Sequence, residues 1–165
     1  VGFRPFFLLE KDMRFVFCLL FAAFTCPAWV GNAFLFDKTN LTAEHANGGK
    51  TVLRVELADT PEKQARGLMY RTEMDENAGM LFDFKAPRPV TMWMANTPLS
   101  LDMLFFDKNG TINEIISGTV PFSRESIPSA FKSRGVLELN AGAAQRLGLK
   151  VGDKLLLLEN GSKVR

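Results

Sequence analysis

From Thr51 onward the chain is a succession of short apolar segments, each stopped within a few residues by Gly, Pro, Asn or Asp. Helices that bury one face need a longer run with a 3.6-residue period, whereas short runs between turn residues suit strands. In "TVLRVELA" (51–58), Leu53, Val55 and Leu57 alternate with Val52, Arg54, Glu56 and Ala58, the two-residue period of a half-buried strand. "GMLFDF" (79–84), "VTMWMA" (90–95), "SLDMLFF" (100–106), "TINEII" (111–116), "RGVLELN" (134–140) and "VGDKLLLLE" (151–159) continue the series. Asp107-Lys108-Asn109-Gly110 reads as a hairpin turn of the Asn-Gly type, with Gly110 at a position needing positive φ. Helical signals are brief. "DTPEKQARGLMYR" (59–71) has Thr60 to cap it, Pro61 for the first helical position and Glu62 for the positive end, with Ala65, Leu68 and Met69 on its inner face. "AGAAQRLG" follows Asn140 as a cap and closes at Gly148. This pattern predicts one mainly β domain, a sandwich or barrel with two short helices, over residues 51–165.

The segment ahead of it has a different character. "MRFVFCLLFAAFTCPAWVGNA" (13–33) opens on Arg14, is apolar from Phe15 to Phe24 and ends in Gly31-Asn32-Ala33. A basic start, an apolar stretch and small residues at −3 and −1 are the pattern of a secretory signal with cleavage after Ala33. Pro27 interrupts the run short of the ~20 residues a spanning helix needs. Residues 1–33 are therefore expected to be extension and signal, and the product to be periplasmic or extracellular, touching the membrane only through that signal. The polar stretch 34–50, ending at Gly48-Gly49, reads as a flexible linker.

Cleavage there would remove both cysteines, Cys18 and Cys26, and leave His45 as the lone histidine. Thiol nucleophiles, disulfides and thiolate metal sites then drop out, a Ser-His-Asp triad could recruit only His45, and no cofactor is expected. A formal charge of +2 without a Lys/Arg cluster argues against a nucleic-acid surface. "DKNGT" (107–111) carries a fragment of calcium-loop spacing but lacks the later ligands, and "GLKVGD" (148–153) lacks the Gly-Lys-Ser/Thr ending of a phosphate loop.

Taken in order, "GLMYR" (67–71), "GMLFDF" (79–84), "MWMANTPLSLDMLFFD" (92–107), "RGVLEL" (134–139) and "GLKVGD" resemble the small exported bacterial and archaeal domains catalogued as domain of unknown function 192. The resemblance runs from about Val52 to Leu158 and implies a compact, mainly β, jelly-roll-like fold. It implies no activity and supplies no catalytic residue. Such domains often carry Lys or Arg where this chain has Ala95, so a basic group there is not essential to this chain.

Candidate site residues follow from the odd stretch around 92–102. Met92, Trp93 and Met94 suit core packing, or a pocket lined by Trp93 or Met94 in which Arg66 also meets a ligand and Asn96 and Thr97 supply hydrogen bonds at the rim. Asp102 shares strand parity with Leu104 and Phe106 and so must find a partner. A structural tie to the Asn96–Leu99 loop or to Arg66 or Arg71 is one reading, and a site carboxylate is the other. Glu138, between Leu137 and Leu139, is equally ambiguous, and its pairing with Asp102 would suit glycoside cleavage. The ranking that results puts a cell-envelope module binding a small molecule, saccharide or peptide first. An interaction domain contacting an envelope protein comes next, and a carboxylate-based hydrolase last.

Overall fold

Leu53 and Val55 are fully buried while Val52 and Arg54 are exposed, so the alternation in 51–58 is the pleat of a real strand. In the computed structural model, which describes residues 34–159 and 162–163, that strand is β2 (Lys50–Ala58). The others are β1 (Asp37–Glu44), β3 (Ala78–Arg88), β4 (Thr91–Met92), β5 (Leu101–Phe106), β6 (Ile112–Ile116), β7 (Ile127–Pro128), β8 (Ser133–Asn140), β9 (Lys154–Glu159) and β10 (Ser162–Lys163). Helices α1 (Pro61–Arg66) and α2 (Ala143–Arg146) are short, and the domain is mainly β as the segment pattern predicts.

Among the described residues one sheet runs β10-β9-β1-β2-β3-β8-β5-β6, with β4 and β7 paired separately. Its pairs are antiparallel except β2–β3, where the chain crosses over through α1 to return parallel. The sheet curls until its ends meet. Thr111 bridges Lys154, Leu155 N donates to Gly110 O (2.8 Å), Ile112 N to Asp153 O (2.9 Å) and Gly152 N to Ile112 O (2.8 Å). Gly110 permits this seam. Its φ is +79°, and a Cβ there would lie 2.3 Å from Leu155 O.

Curling divides the apolar side chains in two. Leu41, Leu53, Leu81, Leu104, Leu137 and Leu139 fill the concave side. Met80, Phe82, Met94, Met103, Phe105 and Val136 form a second cluster on the opposite face, beneath α1 and the β4–β7 pair. β5 is buried on both faces throughout, which explains its nearly continuous apolar sequence.

Several expectations are corrected. Residues 37–44 are not linker but strand β1, held between β2 and β9, because Leu41 and Ala43 bury completely while Lys38 and Asn40 face out. Helix α1 ends at Arg66: Gly67 turns at φ +46°, and Ala65 is exposed although Leu68 buries in the following turn. Only Thr91–Met92 of 90–95 is strand, whereas β3 runs on past Phe84 with a register irregularity between Asp83 and Arg88. Asn140 does not cap α2; its Nδ2 donates to Met74 O and Asp75 O, and Gly142 stands at the cap. The candidate signal at 13–33 lies outside the described residues.

Candidate functional site

Helix α1 places the first wall. Thr60 Oγ1 accepts from Lys63 N (3.3 Å), Pro61 needs no N–H partner at that end, and Gly67 N closes the helix on Lys63 O (2.8 Å). The chain that follows turns at Tyr70, whose N–H donates to Asn96 O (2.7 Å). The 93–97 loop is fastened on its other side as well: Phe122 N donates to Thr97 O (3.0 Å) and Met94 N to Ser123 O (3.1 Å). Tyr70, Asn96 and Phe122 all hold positive φ, +66°, +57° and +60°. Two aromatic residues in that region, both bonded to one loop, are stored backbone strain, which persists only where surrounding bonds enforce it.

Between α1, β3 and β4 opens a pocket of about 450 Å³. Leu68, Phe82, Phe84, Val90, Met92 and Trp93 line it with apolar surface. Its polar members are Gln64, Arg66, Arg88, Thr91, Thr97 and Glu138. Arg66 stacks on the Tyr70 ring at 4.6 Å and Arg88 on the Phe84 ring at 4.4 Å. Neither has a carboxylate partner among the described residues, whereas Arg54, Arg71 and Arg134 pair with Asp75, Glu56 and Asp83.

Glu138 completes the lining. It sits mid-strand in β8 between Met80 of β3 and Met103 of β5, in register with both, and is only 4% exposed. Its carboxyl has no hydrogen-bond partner among the described residues, yet no buried side-chain oxygen there is sealed without one, so it reaches the pocket space. Burial pushes its pKa up to about 8. At pH 7 the pocket therefore holds a predominantly neutral acid, able to donate a hydrogen bond, in a cavity that Arg66 and Arg88 also line.

Of the expected site residues, the structure brings Arg66, Trp93 and Thr97 to this pocket, whereas Met94 is buried in the second core cluster and does not line it. Asn96 stands beside it without lining it; its carbonyl holds Tyr70, and its amide reaches only Met69 Sδ at 3.8 Å. Asp102 is elsewhere. It lies fully buried on the concave face, where Oδ1 accepts from Gly118 N and Oδ2 from Ala144 N, both at 3.0 Å. The tie is real, but its partners are the turn after β6 and the first turn of α2, not the Asn96–Leu99 loop, Arg66 or Arg71. The reason is facial: strand parity directs Asp102 away from the side where that loop and those arginines lie. Glu138 and Arg88 are the functional candidates that parity alone missed as pocket residues. A signal existed for Glu138, because "GVLEL" is a strand apolar on both sides and a carboxyl within it must bury.

His45 is engaged differently. Its Nδ1 lies 3.1 Å from Asp153 Oδ2 and its Nε2 2.8 Å from Thr51 Oγ1, so both ring nitrogens are engaged. Asp153 also accepts from Ala46 N and Lys150 N, both at 2.9 Å. None of the three lines the pocket; the set ties the β1–β2 turn to the start of β9. Asp107 Oδ1 accepts from Asn109 N and Thr111 N, the bonding of a plain turn. Among the described residues no group of three or more His, Cys, Asp or Glu converges as metal ligands would.

The family model described as "Uncharacterized ACR, COG1430", domain of unknown function 192, matches residues 42–157. A Sinorhizobium meliloti 1021 protein, provisionally named a transcription regulator, is 47% identical over 74% of this chain and 95% of its own, with a TM-score of 0.72. A protein of unknown function from Novosphingobium aromaticivorans DSM 12444 is 39% identical over 72% and 84%, with a TM-score of 0.68. No curated protein matches the chain.

Proposed function

We propose, from the premise that the chain belongs to the family of domain of unknown function 192, that it is an exported ligand-binding module working through the Glu138 pocket. The observation that carries this reading is Glu138 itself: a buried carboxyl without a partner among the described residues, facing a largely apolar cavity, is costly unless something meets it there. Concave apolar walls with few convergent polar groups and a perturbed acid are the ordinary make-up of a small-molecule site. The positive φ of Tyr70, Asn96 and Phe122 falls on segments bonded within or to the 93–97 loop, which carries the pocket residues Trp93 and Thr97. The regulator name of the S. meliloti relative is not taken over, since a charge of +2 without a basic run offers little to a phosphate backbone.

A carboxylate hydrolase loses its pairing, because Asp102 and Glu138 face opposite sides of the sheet. An interaction domain keeps one supporting observation, the exposed Tyr70, Trp93, Val120 and Phe122. A thermal-shift screen of the full chain against sugars, peptides, amphipathic acids and amines tests the binding reading, since a ligand of the native state raises its melting temperature. The expected hit loses its effect in Ala65→Phe, which fills the pocket from its α1 wall. A screen without hits, or one whose hits ignore that substitution, favours the interaction reading. Export rests on the 13–33 pattern, and N-terminal sequencing should find the product starting at Phe34.

A further inference from the structure

We propose that the ligand is an amphipathic anion, its acidic head held by the Arg66 and Arg88 guanidinium groups and its apolar body packed on Phe84, Met92 and Trp93 above Glu138. The inference rests on the pocket being the working site and adds the chemistry of its occupant. Sign comes first. The pocket's ionisable members are Arg66, Arg88 and Glu138, and with the acid neutral its net charge is positive. Arg54, Arg71 and Arg134 are neutralised by carboxylates of this chain, while the pocket arginines stack on aromatic rings and have no carboxylate partner among the described residues. Guanidinium forks of that kind match carboxylate or phosphate oxygens in bidentate pairs.

The apolar part follows from the walls. Met92 and Phe84 are half-buried and Trp93 is 49% exposed, so an occupant would cover surface that the fold leaves open to water. Glu138 adds a proton condition. Neutral, it can donate to the ligand; ionised, it repels an anion in the same cavity. Affinity should hold below pH 7 and fall as pH rises through about 8.

Calorimetric titration of the full chain with octanoate, 1-octanol, octylamine and inorganic phosphate tests this. At pH 6.5 octanoate should bind roughly tenfold or more tightly than the others, a difference of about one charge-assisted hydrogen bond. Arg66→Gln and Arg88→Gln should each weaken octanoate by roughly tenfold. Arg124→Gln, which removes an arginine outside the pocket, should not. The fall in affinity between pH 7 and 9 should disappear in Glu138→Gln. Tighter binding of octylamine, equal binding of octanol, equal binding of bare phosphate, or indifference to both arginine substitutions each overturns the anion and leaves the pocket reading standing. Binding of none of the four overturns the anion and counts against the pocket as well.

Discussion

Asp102 and Glu138 stand one register position apart on neighbouring strands and face opposite sides of the same sheet. Asp102 is satisfied by two backbone N–H groups; Glu138, among the described residues, by none. The same residue class therefore does two jobs: the first carboxyl holds the fold, and the second waits at a cavity.

Asp102→Asn should destabilise the protein by about 1–3 kcal/mol, because an amide can accept from only one of Gly118 N and Ala144 N and must turn its NH₂ toward the other. Urea unfolding midpoints measure it. Octanoate affinity should be untouched, since Asp102 is not part of the pocket. A midpoint equal to that of the wild type would contradict the anchoring role.

Glu138 gives stability an unusual pH dependence. Its folded pKa is raised from the ordinary 4.5 to about 8, so the unfolded chain releases this proton first as pH rises. Its contribution is complete below about 4.5, declines across the interval to about 8, and totals at most on the order of 5 kcal/mol. Unfolding free energies measured from pH 4.5 to 9 should show that decline in the wild type and lose it in Glu138→Gln. Parallel curves for the two proteins would refute it.

Asp153 works in the opposite sense. Burial pushes its pKa up, but the N–H groups of Ala46 and Lys150 and the His45 ring outweigh this and hold it below the ordinary value. Its contribution is present above the unfolded pKa of about 3.9 and is lost as pH falls through the folded one. Acid unfolding of Asp153→Asn should be shallower below pH ~4 than that of the wild type.

Gly110→Ala should cost about 2–4 kcal/mol, combining a left-handed residue with a Cβ pressed against Leu155 O. Gly118→Ala is the control: its φ is +67° but open space surrounds it, so about 1–2 kcal/mol is expected. Equal thermal shifts for the two would mean the seam adds nothing beyond backbone strain.

Phe122→Gly should raise stability by about 0.5–1 kcal/mol, because glycine adopts φ +60° freely and the ring is largely exposed. Differential scanning calorimetry reads this directly. A lowered melting temperature would show that the ring's packing exceeds its strain.

What the sequence revealed and concealed follows from where information is local. The hairpin at 107–110 and strands β2, β5, β6 and β8 were legible because period and turn chemistry lie within a few residues. Strand β1 was not, since "DKTNLTAE" carries only Leu41 and Ala43 as apolar inward residues, and its second neighbour lies more than a hundred positions away. Trp93 and Thr97 stand out in the odd 92–102 stretch and Arg66 only as a cation available to Asp102; that all three line one cavity depends on how α1 packs against β4, which no local pattern encodes. Glu138 was not placed, because a sheet covered on both faces gives parity no outward side. Asp102 needed a partner by electrostatics alone, but which partner depended on the curl of the sheet.

That curl also sets the order in which the chain can become a protein. β1 and β2 can pair as soon as both exist, but β1's other edge and the seam at Gly110 wait for residues 152–157. Contacts so distant in sequence make for slow folding, since the intervening loop must be ordered before they form. A chain emerging from its N-terminus thus carries an open, unfinished sheet until its last strands arrive.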